Sequence, residues 1–221
     1  MVDYFCSLVP DNFYHIYNRG NNGDTLFYRK ENYEYFLRKY DEYLSLYVET
    51  YSFSLMPNHF HLLVRVKNAD EIKRAIANVN ERLGAHEKLI DALVPTFTKE
   101  LTIPEQVVEM FRRFFTSYSK SIAIQEKRTG SLFQRKFKRK LIHTTTYFKN
   151  VVYYIHANPQ LHGIINNFKL YPWSSYQRML NDRPTKLQKT EVLEWFDNKE
   201  NYVYFHNAKH NVINEAFIIE D

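Results

Sequence analysis

Two histidines one residue apart, His59 and His61, have the residue types and spacing that most clearly suggest chemistry in this chain. They lie in the run Ser54–Arg65 (SLMPNHFHLLVR), whose apolar character predicts a β-strand. Side chains alternate faces along a strand, so both imidazoles point the same way and Phe60 points to the opposite face. Two imidazoles side by side on a rigid strand suit a divalent metal ion. Such a pair also arises by chance, so ordinary surface or hydrogen-bonded histidines remain the alternative.

A second group of candidate residues lies further along the chain, in a segment predicted to be helical. Thr144 suits a helix N-cap, apolar residues follow at helical spacing, and Asn158-Pro159 is predicted to stop the helix. Four residues spaced three or four apart share one stripe of this helix: Tyr147, Val151, Tyr154 and Asn158. The phenol of Tyr154 is therefore expected beside the Asn158 amide. Because the chain contains 18 tyrosines, a core aromatic with a polar tip also explains Tyr154.

The positive charge of the chain is concentrated between these two groups. The net charge is +5, but residues 112–140 alone carry +9 and everything else sums to −4. Phenylalanines interleave with these basic residues, a composition that fits neutralisation of phosphates and stacking of bases. A solvated charged face is the alternative. The candidate DNA-binding residues are Arg112, Arg113, Arg128, Arg135, Lys136, Lys138, Arg139 and Lys140.

Composition restricts the class of protein. The 221 residues are 44% hydrophobic and 25% charged, which is typical of a soluble globular protein with a sizeable core. The single cysteine, Cys6, excludes an intrachain disulfide framework. No run has the length of a transmembrane helix, and the N-terminus lacks the pattern of a signal peptide. We therefore expect a cytoplasmic protein with no membrane partner.

The elements that must position these residues alternate between strands and helices. In chain order the predicted elements are strand 14–19, helix 31–47, strands 50–56 and 59–66, helices 69–83 and 104–127, strand 132–143, and the helix that carries Tyr154. This β-α-β-β-α-β order predicts an α+β fold with a ferredoxin-like split sheet, its helices on one side. Residues 84–104 are predicted to be an insertion. Residues 182–221 are predicted to be a helical, mildly acidic extension.

Four segments carry a resemblance to a known family: 56–64 (MPNHFHLLV), 130–138 (GSLFQRKFK), 153–159 (YYIHANP) and 171–176 (YPWSSY). In this order they resemble the single-tyrosine HUH transposases, and within that family the REP-associated tyrosine transposase branch. The resemblance covers roughly residues 11–180. It implies a ferredoxin-like catalytic domain at 11–181, followed by the extension at 182–221.

The resemblance implies roles for the residues described above. His59 and His61 match the metal-binding histidines of the family, Tyr154 matches its attacking tyrosine, and Asn158 matches the polar residue that completes the metal site. The neighbouring Tyr153 points about 100° away around the helix. The implied activity is cleavage and rejoining of single-stranded DNA through a 5′-phosphotyrosine, at hairpins formed by short palindromes.

The expected cofactor is Mg²⁺ or Mn²⁺. Imidazole favours transition ions such as Mn²⁺, whereas Mg²⁺ would rely on phosphate and water oxygens. The expected partner is single-stranded DNA with hairpins. A homodimer is also predicted, because in the transposase branch the tyrosine helix of one subunit lies against the metal site of the other; the REP-associated branch can act as a monomer. The general base is open, with His143, His156 and His162 as nearby candidates.

Two other classes of protein remain open. A His-X-His pair also begins the zinc sites of small-molecule metallohydrolases, but these sites need further ligands at set spacings, and no Asp-His follows His61. The second class is a host-domesticated DNA-binding protein that retains the fold without cleavage activity. The presence of both histidines, Tyr154 and Asn158 argues against that loss of activity.

Overall fold

Four strands in the described part of the chain form one antiparallel sheet. The structure, a computed structural model, describes residues 4–83, 97 and 100–210. The strands are β1 (Phe13–Arg19), β2 (Val48–Met56), β3 (His59–Val66) and β4 (Lys138–Ile142). Their order across the sheet is β2-β3-β1-β4, and adjacent strands are antiparallel. This is the predicted split β-α-β arrangement, with β3 and β1 at the centre.

The hairpin between β2 and β3 fixes where the histidine pair begins. Pro57 and Asn58 form the turn, and the Pro57 carbonyl accepts hydrogen bonds from the backbone N–H groups of Leu26 and Phe27 at 2.7 and 3.0 Å. Proline presets its φ angle for a turn and has no N–H to leave unpaired. The predicted tight turn is therefore confirmed, and β3 begins at His59 as predicted.

One face of the sheet is covered by the helices of the first part of the chain, which are α1 (Lys30–Leu44), α2 (Ala69–Leu83) and α3 (Ile103–Gln125). Phe60, Leu62 and Val64 of β3 are buried in this core. Complete burial of one such side chain contributes about 1.5–3 kcal/mol. The alternation predicted for β3 therefore directs every second residue into the main hydrophobic core.

The opposite face is covered by α4 (Thr145–Leu161). Thr144 caps this helix, and its hydroxyl oxygen accepts a hydrogen bond from the Tyr147 N–H at 3.3 Å. Leu63 of β3 and Val152 of α4 belong to a second hydrophobic cluster. The helices thus lie on both faces, not on one side as expected. The reason is that the histidine face of β3 carries its own apolar residues, which need a covering helix.

The last strand is shorter than predicted. Residues 132–143 alternate in sequence, but β4 begins only at Lys138. Leu132 and Phe133 are buried in the main core, and Phe133 contributes a single bridge to Gly20. Burial of these two side chains takes the segment before β4 out of the sheet.

The end of α4 also differs from the prediction. The helix continues past Pro159 to Leu161. A proline in the last turn removes one hydrogen-bond donor, and the His162 N–H still reaches the Asn158 carbonyl at 3.0 Å. Asn158 therefore lies within the helix and has a fixed backbone.

The C-terminal part forms three helices, which are α5 (Tyr176–Leu180), α6 (Lys189–Trp195) and α7 (Lys199–His210). Val192, Phe196 and Tyr202 are buried in the same cluster as α4, so the predicted helical extension packs on that helix. Most of the insertion predicted at 84–104 lies outside the described residues. No helix in the described ranges has both the length and the apolar character needed to cross a membrane.

A buried series of polar groups joins α7 to α4. His156 lies with its Nε2 2.7 Å from Ser175 Oγ and its Nδ1 3.1 Å from His206 Nε2. His206 Nδ1 lies 2.8 Å from the Tyr202 carbonyl oxygen, to which it donates. Buried polar groups that satisfy one another favour a single arrangement. Both ring nitrogens of His156 are engaged here, which argues against His156 as a base acting on Tyr154.

Acid should weaken the packing of α7, because burial lowers the pKa of His206 to about 3. A histidine with a folded pKa below its unfolded value of about 6.5 contributes stability that is complete above pH 6.5 and is lost as the pH falls toward 3. We expect this group to lower the free energy of unfolding by up to about 1.4 kcal/mol per pH unit below pH 6.5. Urea denaturation between pH 7 and 5 measures the slope.

His206→Gln is the control for this prediction, since glutamine does not titrate. The variant should be less stable at pH 7 and should lose less stability per pH unit than the wild type. Identical pH slopes for the two proteins would contradict the assignment to His206.

Candidate active site

His59 and His61 are buried on the α4 face of β3, and each ring is oriented by a neighbour. His59 Nδ1 lies 2.7 Å from Asn58 Oδ1, and His61 Nδ1 lies 2.9 Å from His15 Nε2. An amide oxygen only accepts, so His59 donates from Nδ1 and keeps its lone pair on Nε2. Contacts of this kind at the second ring nitrogen are how proteins orient histidine ligands toward a metal.

His61 is held in its neutral form. Burial is the main cause that lowers its pKa well below the usual range, and the nearby imidazoles of His15, His59 and His162 add to this effect. A neutral imidazole keeps one nitrogen lone pair, which is the form that binds a metal.

Tyr154 faces this strand from α4, and Asn158 follows one turn later. The Tyr154 ring centroid lies 5.7 Å from that of His61 and 5.9 Å from that of His15, edge-on in both cases. Asn158 is fully buried, and its Nδ2 donates to the Tyr154 carbonyl at 3.3 Å. The structure therefore brings Tyr154 into contact with His61 and places Asn158 on the same helix beside it.

The buried atoms His61 Nε2 and Asn158 Oδ1 make no hydrogen bond with any described residue. Leaving such an atom unsatisfied costs about 1–3 kcal/mol, so both atoms fit a bound group. An imidazole nitrogen and an amide oxygen are both suitable ligands for a divalent cation. Within the described ranges, no three His, Cys, Asp or Glu side chains form a group able to hold a metal ion. The remaining ligands would therefore be amide, water or phosphate oxygens.

The strand register extends this site across β1 to β4. In one row His61 lies opposite Tyr17, and Tyr17 lies opposite Lys138. In the next row His15 lies opposite Lys140. Residues directly opposite each other in an antiparallel pair share a face of the sheet. Lys138 and Lys140, two of the predicted DNA-binding residues, thus lie on the same face as the histidines; we call them the site-face lysines.

The other predicted DNA-binding residues lie elsewhere. Four of them line a cavity of about 720 Å³ between α3 and the segment before β4: Arg112, Arg135, Lys136 and Arg139. We call it the α3 cavity, and Phe115 and Phe137 also line it. Arg112 and Arg113 form ion pairs with Glu109, and Arg128 forms one with Asp24. The basic segment is therefore divided between the two faces of the sheet and does not form one continuous surface.

The histidines that the sequence suggested as general bases lie beside different residues of the fold. The His162 ring lies against His59, with the centroids 4.6 Å apart, and the His143 ring lies 6.5 Å from that of Tyr147. The rings of His15 and His61 lie in contact with the ring of Tyr154. If His61 binds a metal through Nε2, its Nδ1 donates to His15 Nε2, so His15 has no lone pair left for the phenol proton. This argues against His15 as the base, despite its proximity.

Three residues of β1 near the site were missed in the sequence: His15, Tyr17 and Arg19. They alternate along the strand, so the period of two already places them on one face. The sequence does not show that β1 pairs with β3, which puts His15 against His61 and Arg19 opposite His59. The alternation along β1 is visible in the sequence, but the identity of its partner strand is not. That identity is what was needed to place these residues at the site.

Comparison with known proteins agrees with this fold. No family model and no curated protein matches the chain. Among solved structures, it is similar to a REP-associated tyrosine transposase bound to a REP hairpin, with a TM-score of 0.55 and 14% sequence identity, over 81% of this chain and 86% of that one. At this identity the similarity establishes a shared fold, and the expected α+β class is confirmed.

Substitutions of Tyr154 should separate its ring from its hydroxyl. The side chain is buried, and Tyr154→Phe keeps the edge-on contacts, so the free energy of unfolding should change by less than about 1.5 kcal/mol. Tyr154→Ala leaves a cavity and should cost about 3–5 kcal/mol. Urea denaturation measures both values. Equal losses in the two variants would show that the ring is not packed as described.

Proposed function

We propose that this protein cleaves and rejoins single-stranded DNA, with Tyr154 as the nucleophile and a covalent 5′-phosphotyrosine as the intermediate. The observation that carries the proposal is the contact between the Tyr154 ring and His61, whose buried Nε2 makes no hydrogen bond with a described residue. A phenol nucleophile beside a metal-binding imidazole is the minimum that such a reaction needs. The similarity in fold to a REP-associated tyrosine transposase supports the proposal.

In this proposal His59, His61 and Asn158 hold Mg²⁺ or Mn²⁺. When bound, the cation supplies electrostatic stabilisation of the charge that builds on the phosphate. Asn58 and His15 keep the two imidazoles in their binding orientation through contacts at Nδ1. Asn158 adds an amide oxygen from the opposite side of the site.

Tyr154 forms the covalent bond to DNA. Its phenol oxygen attacks phosphorus, the bond from phosphorus to the 3′-oxygen breaks, and that oxygen leaves as a 3′-hydroxyl. The phenol, with a reference pKa near 10, passes its proton to a base during the attack. The 3′-hydroxyl later attacks the phosphotyrosine, frees Tyr154 and restores a phosphodiester. The reaction therefore cleaves and rejoins strands without an external energy source.

The DNA in this proposal is single-stranded with hairpins, and two basic surfaces are available for it. The site-face lysines lie on β4, two strands and about 10 Å from the histidines of β3. Lys140 Nζ lies 5.0 Å from the ring centroid of Tyr147, which shares the α4 stripe of Tyr154. The site-face lysines are therefore suited to phosphates next to the bond that is cut, and the α3 cavity to a more distant part of the strand.

The proposed site does not require a second copy of the chain. Tyr154 and His61 of the same chain are in contact. This arrangement favours action by one chain over the exchange of tyrosine helices between subunits. The homodimer stays a prediction, to be tested by the mass in solution.

A metal-dependent covalent adduct is the direct consequence of the proposal. Wild-type protein mixed with single-stranded hairpin DNA and Mn²⁺ should form a product that migrates as a protein–DNA conjugate on a denaturing gel. Tyr154→Phe should reduce this product at least 100-fold, since phenylalanine has no nucleophile.

The matched control is Tyr153→Phe. Tyr153 is a neighbouring buried tyrosine whose pKa burial raises to about 12. Tyr153→Phe should retain adduct formation. An adduct that survives Tyr154→Phe would overturn the choice of nucleophile, and no adduct with any hairpin would favour a DNA-binding protein without cleavage activity.

Metal binding can be tested without DNA. Titration calorimetry with Mn²⁺ should show that His59→Ala and His61→Ala each weaken binding at least tenfold, because each substitution removes one nitrogen ligand. His143→Gln, an exposed histidine before α4, is the control and should bind as the wild type. Wild-type affinity in both alanine variants would contradict the metal site.

A further inference from the structure

A cavity at one end of the candidate site reaches His59, one of its two buried histidines. The cavity has a volume of about 410 Å³, and the exposed His162 and Arg19 also line it. Asn58 and Gly23 also line it. A DNA strand that approached His59 from solvent would pass these groups, so the side chains at the cavity bear directly on what can enter.

Arg19 supplies positive charge to this cavity. It is the last residue of β1 and lies opposite His59 in the strand register. Its side chain is half-buried, and it forms no ion pair with a described residue. Arg128 nearby in the fold is different, because its guanidinium is bound to Asp24. Arg19 thus keeps its charge available to a ligand in the cavity.

The backbone holds Arg19 firmly. Its carbonyl accepts a hydrogen bond from the Gln134 N–H at 3.0 Å, and its own N–H donates to Asn18 Oδ1 at 2.9 Å. Directly after it, a Cβ atom at Gly20 would lie 1.9 Å from the Asp24 carbonyl oxygen, so only glycine permits the close turn that ends β1. A long side chain on a fixed backbone suits the binding of a ligand at a defined place.

The Arg19 guanidinium lies next to His59, a proposed metal ligand. This arrangement fits an anion that has two oxygens able to accept hydrogen bonds. Arginine presents donors in a planar fork that matches phosphate, and it keeps its charge at any ordinary pH. A phosphodiester in this cavity could accept hydrogen bonds at two oxygens from the Arg19 fork while it lies beside His59. Lysine offers only a point charge in the same position.

We propose that Arg19 is a phosphate-binding, positioning residue for the DNA strand, and that the cavity lined by Arg19, His59 and His162 is where a backbone phosphate enters the site. The inference rests on the proposed function for the identity of the ligand. It adds a contact that none of the predicted DNA-binding residues provides, since those lie on β4 and on the α3 side of the sheet.

Binding in EDTA tests Arg19 apart from metal and from cleavage. The probe is a pool of fluorescent hairpin oligonucleotides with random single-stranded flanks, and anisotropy gives the affinity at several NaCl concentrations. Arg19→Gln should weaken binding about five- to tenfold and reduce the slope of log affinity against log salt by about 0.7–1, the loss of one phosphate contact. Arg19→Lys should restore most of the slope and only part of the affinity, because the charge returns without the fork.

Arg74→Gln is the matched control, since Arg74 is an exposed arginine on α2, on the other side of the sheet. If Arg19→Gln binds with the affinity and salt slope of Arg74→Gln, the role of Arg19 is overturned, even where Tyr154 forms the adduct. If Arg19→Gln loses the slope while the wild type forms no adduct with metal, the proposal for Arg19 stands and strand cleavage fails. A wild-type protein that binds none of the pool overturns both.

Discussion

The contact between the Tyr154 ring and His61 is the interaction on which the rest of the site depends. It joins α4 to a central strand through an aromatic edge and an imidazole, both buried. An edge-to-face contact of this kind adds about 0.5–1.5 kcal/mol beyond the area it buries. The position of this contact matters more than its energy. A shift of α4 by one residue would turn Tyr154 about 100° away from the sheet. The proposed chemistry therefore requires that the register of α4 on the sheet be fixed.

Several features outside the site fix that register. Thr144 caps the start of α4, and Asn158 remains inside the helix because the last turn tolerates Pro159. On the far side of the helix, His156 is bound to Ser175 and His206. The C-terminal helices thus hold the back of α4 while the sheet contacts its front. This gives the C-terminal helices a structural role in the fold.

Much of this arrangement could be predicted from local patterns. The limits of β3, the turn at Pro57 and the stripe of Tyr154 and Asn158 follow from periodicity and turn chemistry, and the structure agrees with them. What could not be predicted depends on contacts distant in sequence. His15 is 46 residues from His61, and neither segment alone predicts that the two side chains are in contact. The shorter β4 has the same cause, because Phe133 is drawn into a core built by α1 and α3.

The position of β4 has a consequence for self-association. It is the last strand of the sheet, and such a strand can offer unpaired N–H and C=O groups to any other extended chain. Here the N-terminal segment covers part of that edge, because Phe5 forms a parallel bridge with Arg139 and the Arg139 N–H donates to the Tyr4 carbonyl at 2.9 Å. Lys138, Arg139 and Lys140 follow one another on β4, and a row of like charges repels a second copy of the same edge. A variant that neutralised all three cations would lose this repulsion as well as positive charge, so a change in its binding of an anion would have two physical causes.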